Sequence, residues 1–154
     1  LLKYDESLAV RERAVALNPN CSPAYGSLGT LLGIMGHSED AIANQEVANR
    51  SNPLDPSIFF RFSGLALAHY MAGRFETAIE WAERAIHRMP RWFVAHFILA
   101  ASQVALGCHE DAVQTVKSSQ KVLPDICVDD LDRVPLRDSD KLNEPRVRLL
   151  EAGF

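Results

Sequence analysis

The chain has 154 residues, enough for one domain with a real core and too few for a scaffold plus a separate catalytic domain. Its hydrophobic fraction of 47%, charged fraction of 23% and net charge of -4 are ordinary for a globular protein and give no electrostatic reason to expect nucleic acid. The cysteines, Cys21, Cys108 and Cys127, are odd in number and lack a CxxC pair, which reads as reduced thiols in a cytoplasmic setting.

At the amino end there is neither an initiating methionine nor a signal-peptide pattern, since Leu1 and Leu2 run directly into Lys3, Asp5, Glu6, Arg11, Glu12 and Arg13. Residues 1–20 read as half a repeat, with 3–17 forming the second helix of a hairpin. Its partner would lie before Leu1, so the chain is expected to start inside a longer protein; a natural capping helix is the alternative.

Three complete hairpins are expected at 22–55, 56–92 and 93–124. In the first, Leu28, Leu31, Leu32 and Met35 have helical spacing, Gly36-His37-Ser38 breaks it, and Ala41, Ile42, Gln45 and Ala48 resume it. Ser22-Pro23 and Asp55-Pro56 each place an acceptor at an N-cap and a proline at the first helical position, so first helices should start near 23, 56 and 91. Gly36, Gly73 and Gly107 stand where each first helix must stop, and Ser38 should cap the helix that follows. The longest apolar stretch, Trp92 to Leu106, contains His96, Ser102 and Gln103 and is shorter than the roughly 20 residues needed to span a bilayer. It reads as a buried helix, with no membrane partner.

The register is periodic. Pro19, Pro53, Pro90 and Pro124 lie 34, 37 and 34 residues apart, as do Ser7, Ala41, Ala78 and Ala112. The columns Leu8, Ile42, Ile79, Val113; Ala14, Ala48, Ala85, Ser119; and Leu28, Leu65, Leu99 follow the same intervals. The long interval adds three residues around Leu54 to Ile58, predicted to lengthen the first helix of the middle hairpin by almost a turn. Gly29, Ala66 and Ala100 should face Ala41, Ala78 and Ala112 where paired helices come close.

These features together, the 34-residue period, the Leu-Gly or Leu-Ala pair, the helix-breaking Gly, the paired Ala and the terminal Pro, resemble tetratricopeptide repeats over about residues 1 to 124. The resemblance implies an all-α protein, an α-α superhelix of about three and a half helical hairpins with a C-terminal capping helix, which binds protein or peptide segments along a concave groove. The pattern departs from the family at His96, where Tyr25 and Phe62 have an aromatic equivalent, and at Gln45 and Val116, where an aromatic is common.

From 125 to 154 the period is lost. Asp129, Asp130, Asp132, Arg133, Arg137, Asp138, Asp140 and Lys141 make a polar connector, then a short helix is expected near 143 to 152, with Asn143 as cap and Pro145 in its first turn. The run Arg61-Phe62-Ser63-Gly64-Leu65-Ala66-Leu67-Ala68-His69-Tyr70-Met71-Ala72-Gly73-Arg74-Phe75-Glu76, with the ending Pro135-Leu136-Arg137-Asp138 through Leu149-Leu150-Glu151-Ala152-Gly153, resembles the region after bacterial class III adenylate or guanylate cyclase domains. That resemblance implies a larger signalling parent whose catalytic domain lies upstream; nothing in these 154 residues matches such a domain.

Within the chain no catalytic residue, cofactor or metal is expected. His37, His69, His87, His96 and His109 form no HExxH or close ligand pair, and Cys108-His109 falls at a hairpin turn where adjacent side chains point apart. Gly26, Gly29, Gly33 and Gly36 lack the Walker lysine and read as packing glycines and a C-cap. Glu76, Glu80, Glu83, Arg84, His87 and Arg88 read as a solvated helix face.

Phe60, Ser63, Leu67, Tyr70 and Met71 fall on the face of the middle first helix that the resemblance turns toward the groove, and Val94, Phe97, Ala101 and Val104 fall on the same side of the next. These are the candidate partner-binding residues, with Phe60, Tyr70, Met71 and Phe97 as anchors. An apolar surface of this size needs a cover: the tail folded back, a second copy of the chain in a homodimer, or an apolar partner segment. The groove positions lack the Lys, Asn and Arg set of a two-carboxylate clamp, which argues against chaperone-tail recognition.

Overall fold

The computed structural model describes residues 4–133 and 143–154. A single helix, α1 (Tyr4–Leu17), precedes three hairpins: α2 (Ser22–Met35) with α3 (Ser38–Ser51), α4 (Ile58–Met71) with α5 (Phe75–Arg88), and α6 (Phe93–Ala105) with α7 (His109–Val122). A 3-10 turn (Val128–Arg133) and α8 (Asn143–Ala152) follow, and the described residues contain no strand.

Each hairpin turns on a glycine. Gly36, Gly73 and Gly107 have φ of 85°, 75° and 78°, a region closed to most side chains. At each turn two amides close on carbonyls of the last helical turn: Gly36 N–H on Gly33 O (3.1 Å) and His37 N–H on Leu32 O (2.9 Å), then Gly73 on Tyr70 with Arg74 on His69, and Gly107 on Val104 with Cys108 on Gln103. This double closure satisfies carbonyls that a simple helix end would leave bare.

First helices begin at Ser22, as expected near 23, and at Ile58 and Phe93, two residues after the expected 56 and 91; the capping at these starts differs from the sequence expectation. Ser22 is already helical, and its hydroxyl donates to Ala48 O at 2.9 Å, tying the start of α2 to α3 instead of capping its own helix. The Asp55 carboxylate accepts the Ser57 amide (2.8 Å) and hydroxyl (2.7 Å), an Asx turn that holds the chain out of helix until Ile58. Two of the three extra residues therefore lengthen the loop after α3, which has six residues against four after α1, the third falls in the turn after α4, and α4 is 14 residues long like α2. Prolines 53 and 56 disfavour helix at the residues before them, which is why the insertion could not extend α4. Ser38 likewise opens α3 from inside, and no side chain caps that helix.

Close contact sets the hairpin geometry. Ala41, Ala78 and Ala112 are fully buried, as are Ala66 and Ala100. A Cβ added at Gly29 would stand 3.0 Å from the Ala41 carbonyl oxygen and 2.9 Å from Gln45 Cγ. Gln45, wholly buried where the family pattern favours an aromatic, donates from Nε2 to Gly26 O (3.2 Å) and Thr30 Oγ1 (3.0 Å), while its Oε1 finds no partner. Gly64 completes its space, since a Cβ there would lie 2.9 Å from Gln45 Nε2. Gly29→Ala gains about 1 kcal/mol of helix propensity, but overpacking costs about 1–3 kcal/mol. Urea denaturation is expected to show a net loss of about 1 kcal/mol, the backbone oxygen being unable to give way; a variant more stable than the parent would mean the hairpin opens freely.

Candidate protein-interaction groove

The contacts between helices give the curvature. α2 packs on α4 and α4 on α6, so the first helices touch along the array, whereas the second helices α3, α5 and α7 do not meet to the same extent. First helices therefore lie on the inner, shorter-radius side and form the concave face.

α8 occupies the carboxyl-terminal half of that face. A further hairpin stacked regularly would lay its first helix mainly on the preceding second helix, as α4 lies on α3 and α6 on α5. α8 packs chiefly against α6, a first helix, and less against α7. Leu149 is fully buried and Ala152 nearly so, in one cluster with Phe97, Ala101 and Val104, and the Phe154 ring meets Phe97 edge-on at 4.9 Å. Tyr70 donates its hydroxyl to Glu144 (2.8 Å) and accepts from Arg148 (3.3 Å), whose guanidinium lies 4.9 Å above the Phe75 ring. Arg148 also pairs with Glu144 one turn back. Burial first, then the Glu144 carboxylate, pushes the Tyr70 phenol well above its ordinary pKa, so it serves as a fixed donor.

The amino-terminal half is open. α1, α2 and the start of α4 enclose a groove of about 410 Å³, with Leu31 and Ile34 on one wall, Phe60 on the other and Arg11 and Arg61 at its polar side. Phe60 is 43% exposed and leans on Trp92 at 5.6 Å. Arg61 is neutralised by Asp55, with Nη1 at 2.6 Å. Arg11 is not: its guanidinium donates to the carbonyl and hydroxyl of Ser7, its buried Nε has no acceptor, and no carboxylate pairs with it among the described residues.

The candidate residues thus divide. Phe60 faces the open half. Ser63 is buried and spends its hydroxyl on Phe59 O (3.0 Å), so it offers nothing to a partner. Leu67, Met71 and Val94 are half-buried against the larger core cluster. Tyr70, Phe97, Ala101 and Val104 are buried beside α8. Sequence reasoning missed the α2 wall and Arg11. The spacing of Ser27, Leu31 and Ile34 could have flagged the wall, whereas Arg11 is indistinguishable in sequence from its charged neighbours.

Elsewhere the chemistry is structural. His96 lies buried with Nε2 donating to Pro90 O at 2.8 Å, and burial lowers its pKa. The cysteines are free thiols. Among the described residues no cluster of His, Cys, Asp and Glu has the makings of a metal site, and no helix is long and apolar enough to cross a membrane.

No protein family and no curated protein matches the chain by sequence. Solved structures do match its shape. A crystal structure of MamA superimposes with a TM-score of 0.70 at 19% identity, covering 97% of this chain and 86% of that one. YrrB, described as a TPR protein with an unusual peptide-binding site, gives 0.66 at 16% identity over 97% of this chain and 76% of its own. TTC0263, a thermophilic TPR protein of Thermus thermophilus, gives 0.66 at 19% identity over 97% and 90%. At these identities the likeness speaks for architecture: the chain has the all-α superhelical fold of tetratricopeptide-repeat solenoids.

Proposed function

We propose that this chain is a non-catalytic protein-interaction module that receives a peptide segment of a partner in the open half of its concave groove. The observation that carries the reading is the groove of about 410 Å³ itself, apolar along Leu31, Ile34 and Phe60 and bordered by Arg11, which has no carboxylate partner among the described residues. Rigid stacked hairpins present that surface already formed, so little ordering cost is set against the apolar burial, about 25 cal/mol per Å². Phe60 is the natural anchor. A peptide-binding site in the similarly shaped YrrB supports the same use of the fold.

The test is selection of binding peptides from a displayed library on the parent chain, followed by titration of the selected peptide against Phe60→Asp. Binding is expected to weaken by about tenfold or more, as for a central apolar anchor, while thermal unfolding stays unchanged because Phe60 is 43% exposed. Equal affinity of parent and variant would remove the open half as the site. Light scattering over a tenfold concentration range decides self-association: a parent dimer that Phe60→Asp converts to a folded monomer would make the second copy the occupant.

The likeness of the Arg61 to Glu76 run and of the tail to the region following class III cyclases favours a signalling parent of bacterial type, with this module regulating or locating its catalytic domain. Reading the coding sequence upstream of Leu1 tests this directly, and an unrelated upstream domain would end it.

A further inference from the structure

We propose that the half of the concave groove beneath α8 is a recognition site for an amphipathic helix of a partner protein, and that α8 is the chain's own occupant of that site. This deepens the interaction-module reading, on which it rests, by naming the partner class. α8 lies mainly on the first helix α6, and its Glu144 reaches Tyr70 of α4, instead of continuing the stack on α7, so it fills the place of a ligand and not of a further repeat.

The chemistry of the α8 contact points the same way. It has the make-up of a helix-in-groove interface: an apolar stripe of Leu149, Ala152 and Phe154 enters the cluster of Phe97, Ala101 and Val104, and a polar clasp of Glu144 and Arg148 closes on Tyr70. The ligand signature follows: a leucine, a small residue three positions on, an aromatic two further, and a carboxylate five positions before the leucine. Occupancy is exchangeable because α8 has 10 residues, below the length at which an isolated helix holds itself together in water. Its opposite face carries Val147 and Leu150, each 55% exposed, so the helix is not locked in from outside.

A covalently attached occupant acts at an effective concentration on the order of millimolar, so an outside helix meets a largely filled site and its apparent affinity falls in proportion. The experiment is fluorescence anisotropy with a labelled peptide of this chain's residues 143–154, titrated with the full chain, with Leu149→Asp, which expels α8 from the apolar floor, and with Glu144→Ala/Arg148→Ala, which opens only the clasp. Binding is expected to tighten by about tenfold or more in Leu149→Asp and by a smaller factor in the clasp variant. Adding Phe97→Ala to either should reverse the gain. Circular dichroism checks folding, and the clasp variant stands alone if Leu149→Asp unfolds. A folded variant that binds the peptide no better than the parent overturns the proposal. So does a parent dimer that exchanges α8 between copies and excludes the free peptide, which makes the second copy the occupant. Binding that depends on Phe60 but not on Phe97 leaves the interaction-module reading standing and removes this one alone.

Discussion

Leu65→Ala is expected to lower the stability of the chain by about 3 kcal/mol, measured as the shift in urea midpoint at constant m-value. Leu65 is fully buried on α4, in the cluster with Leu28 and Leu32 of α2, Ala41 and Ile42 of α3 and its own neighbour Ala68. Its side chain therefore bridges two hairpins, and truncation removes buried methyl groups and leaves a cavity in the seam between repeats. The surroundings are poorly placed to refill it. Gly29 and Ala41 already stand at contact distance, and Gln45 fixes the spacing of α2, α3 and α4 by its bonds to Gly26 and Thr30. Val10→Ala on α1, where the side chain is 67% exposed, should stay within about 0.5 kcal/mol. A Leu65 loss below about 1 kcal/mol would mean that the hairpins slide together to close the void.

The architecture is legible in the sequence because it repeats. Gly36, Gly73 and Gly107 recur in one register and adopt the same left-handed turn, so a single local rule applied three times gives the hairpins. What fails to transfer is whatever is not periodic. Asp55-Pro56 resembles Ser22-Pro23 as a string, yet Asp55 turns back to Ser57 while Ser22 reaches across to Ala48, a choice made by the longer loop and the neighbouring helix. The groove has the same history. Helical spacing puts Phe60, Tyr70 and Phe97 on one face, but which of them stays exposed depends on where α8 lands, and the bond from Tyr70 to Glu144 spans 74 residues. No local pattern encodes such a contact. Arg11 is the extreme case, since only its three-dimensional surroundings, with no carboxylate partner among the described residues, separate it from the other charges of α1.

Removal of Arg61 is expected to cost about 3 kcal/mol, a large effect for a charged residue, because its partners stay behind without it. The side chain is 6% exposed and threads between repeats: Nε donates to Asn49 Oδ1 (3.0 Å), Nη1 to Asp55 (2.6 Å) and Nη2 to Asn52 O (2.8 Å). Arg61→Met, which keeps the apolar stem beside Gly26, should lose less than Arg61→Ala, and that ordering separates packing from charge. The same site gives a pH dependence. The Asp55 carboxyl is held down at about 2, against an ordinary 3.8, first by the hydroxyl and amide of Ser57 and then by Arg61. A carboxylate whose pKa is lower in the folded than in the unfolded chain stabilises the fold above the unfolded value, and that stability disappears as pH falls through the folded one. The contribution of Asp55 should therefore be complete above about pH 4 and be lost on the way to about pH 2. Asp55→Asn should flatten that acid limb of the denaturation profile, and Ser57→Ala, which removes the hydroxyl but keeps the amide at residue 57, should weaken it only in part. An acid limb unchanged in Asp55→Asn would transfer it to other carboxylates and leave Arg61 as a packing element alone.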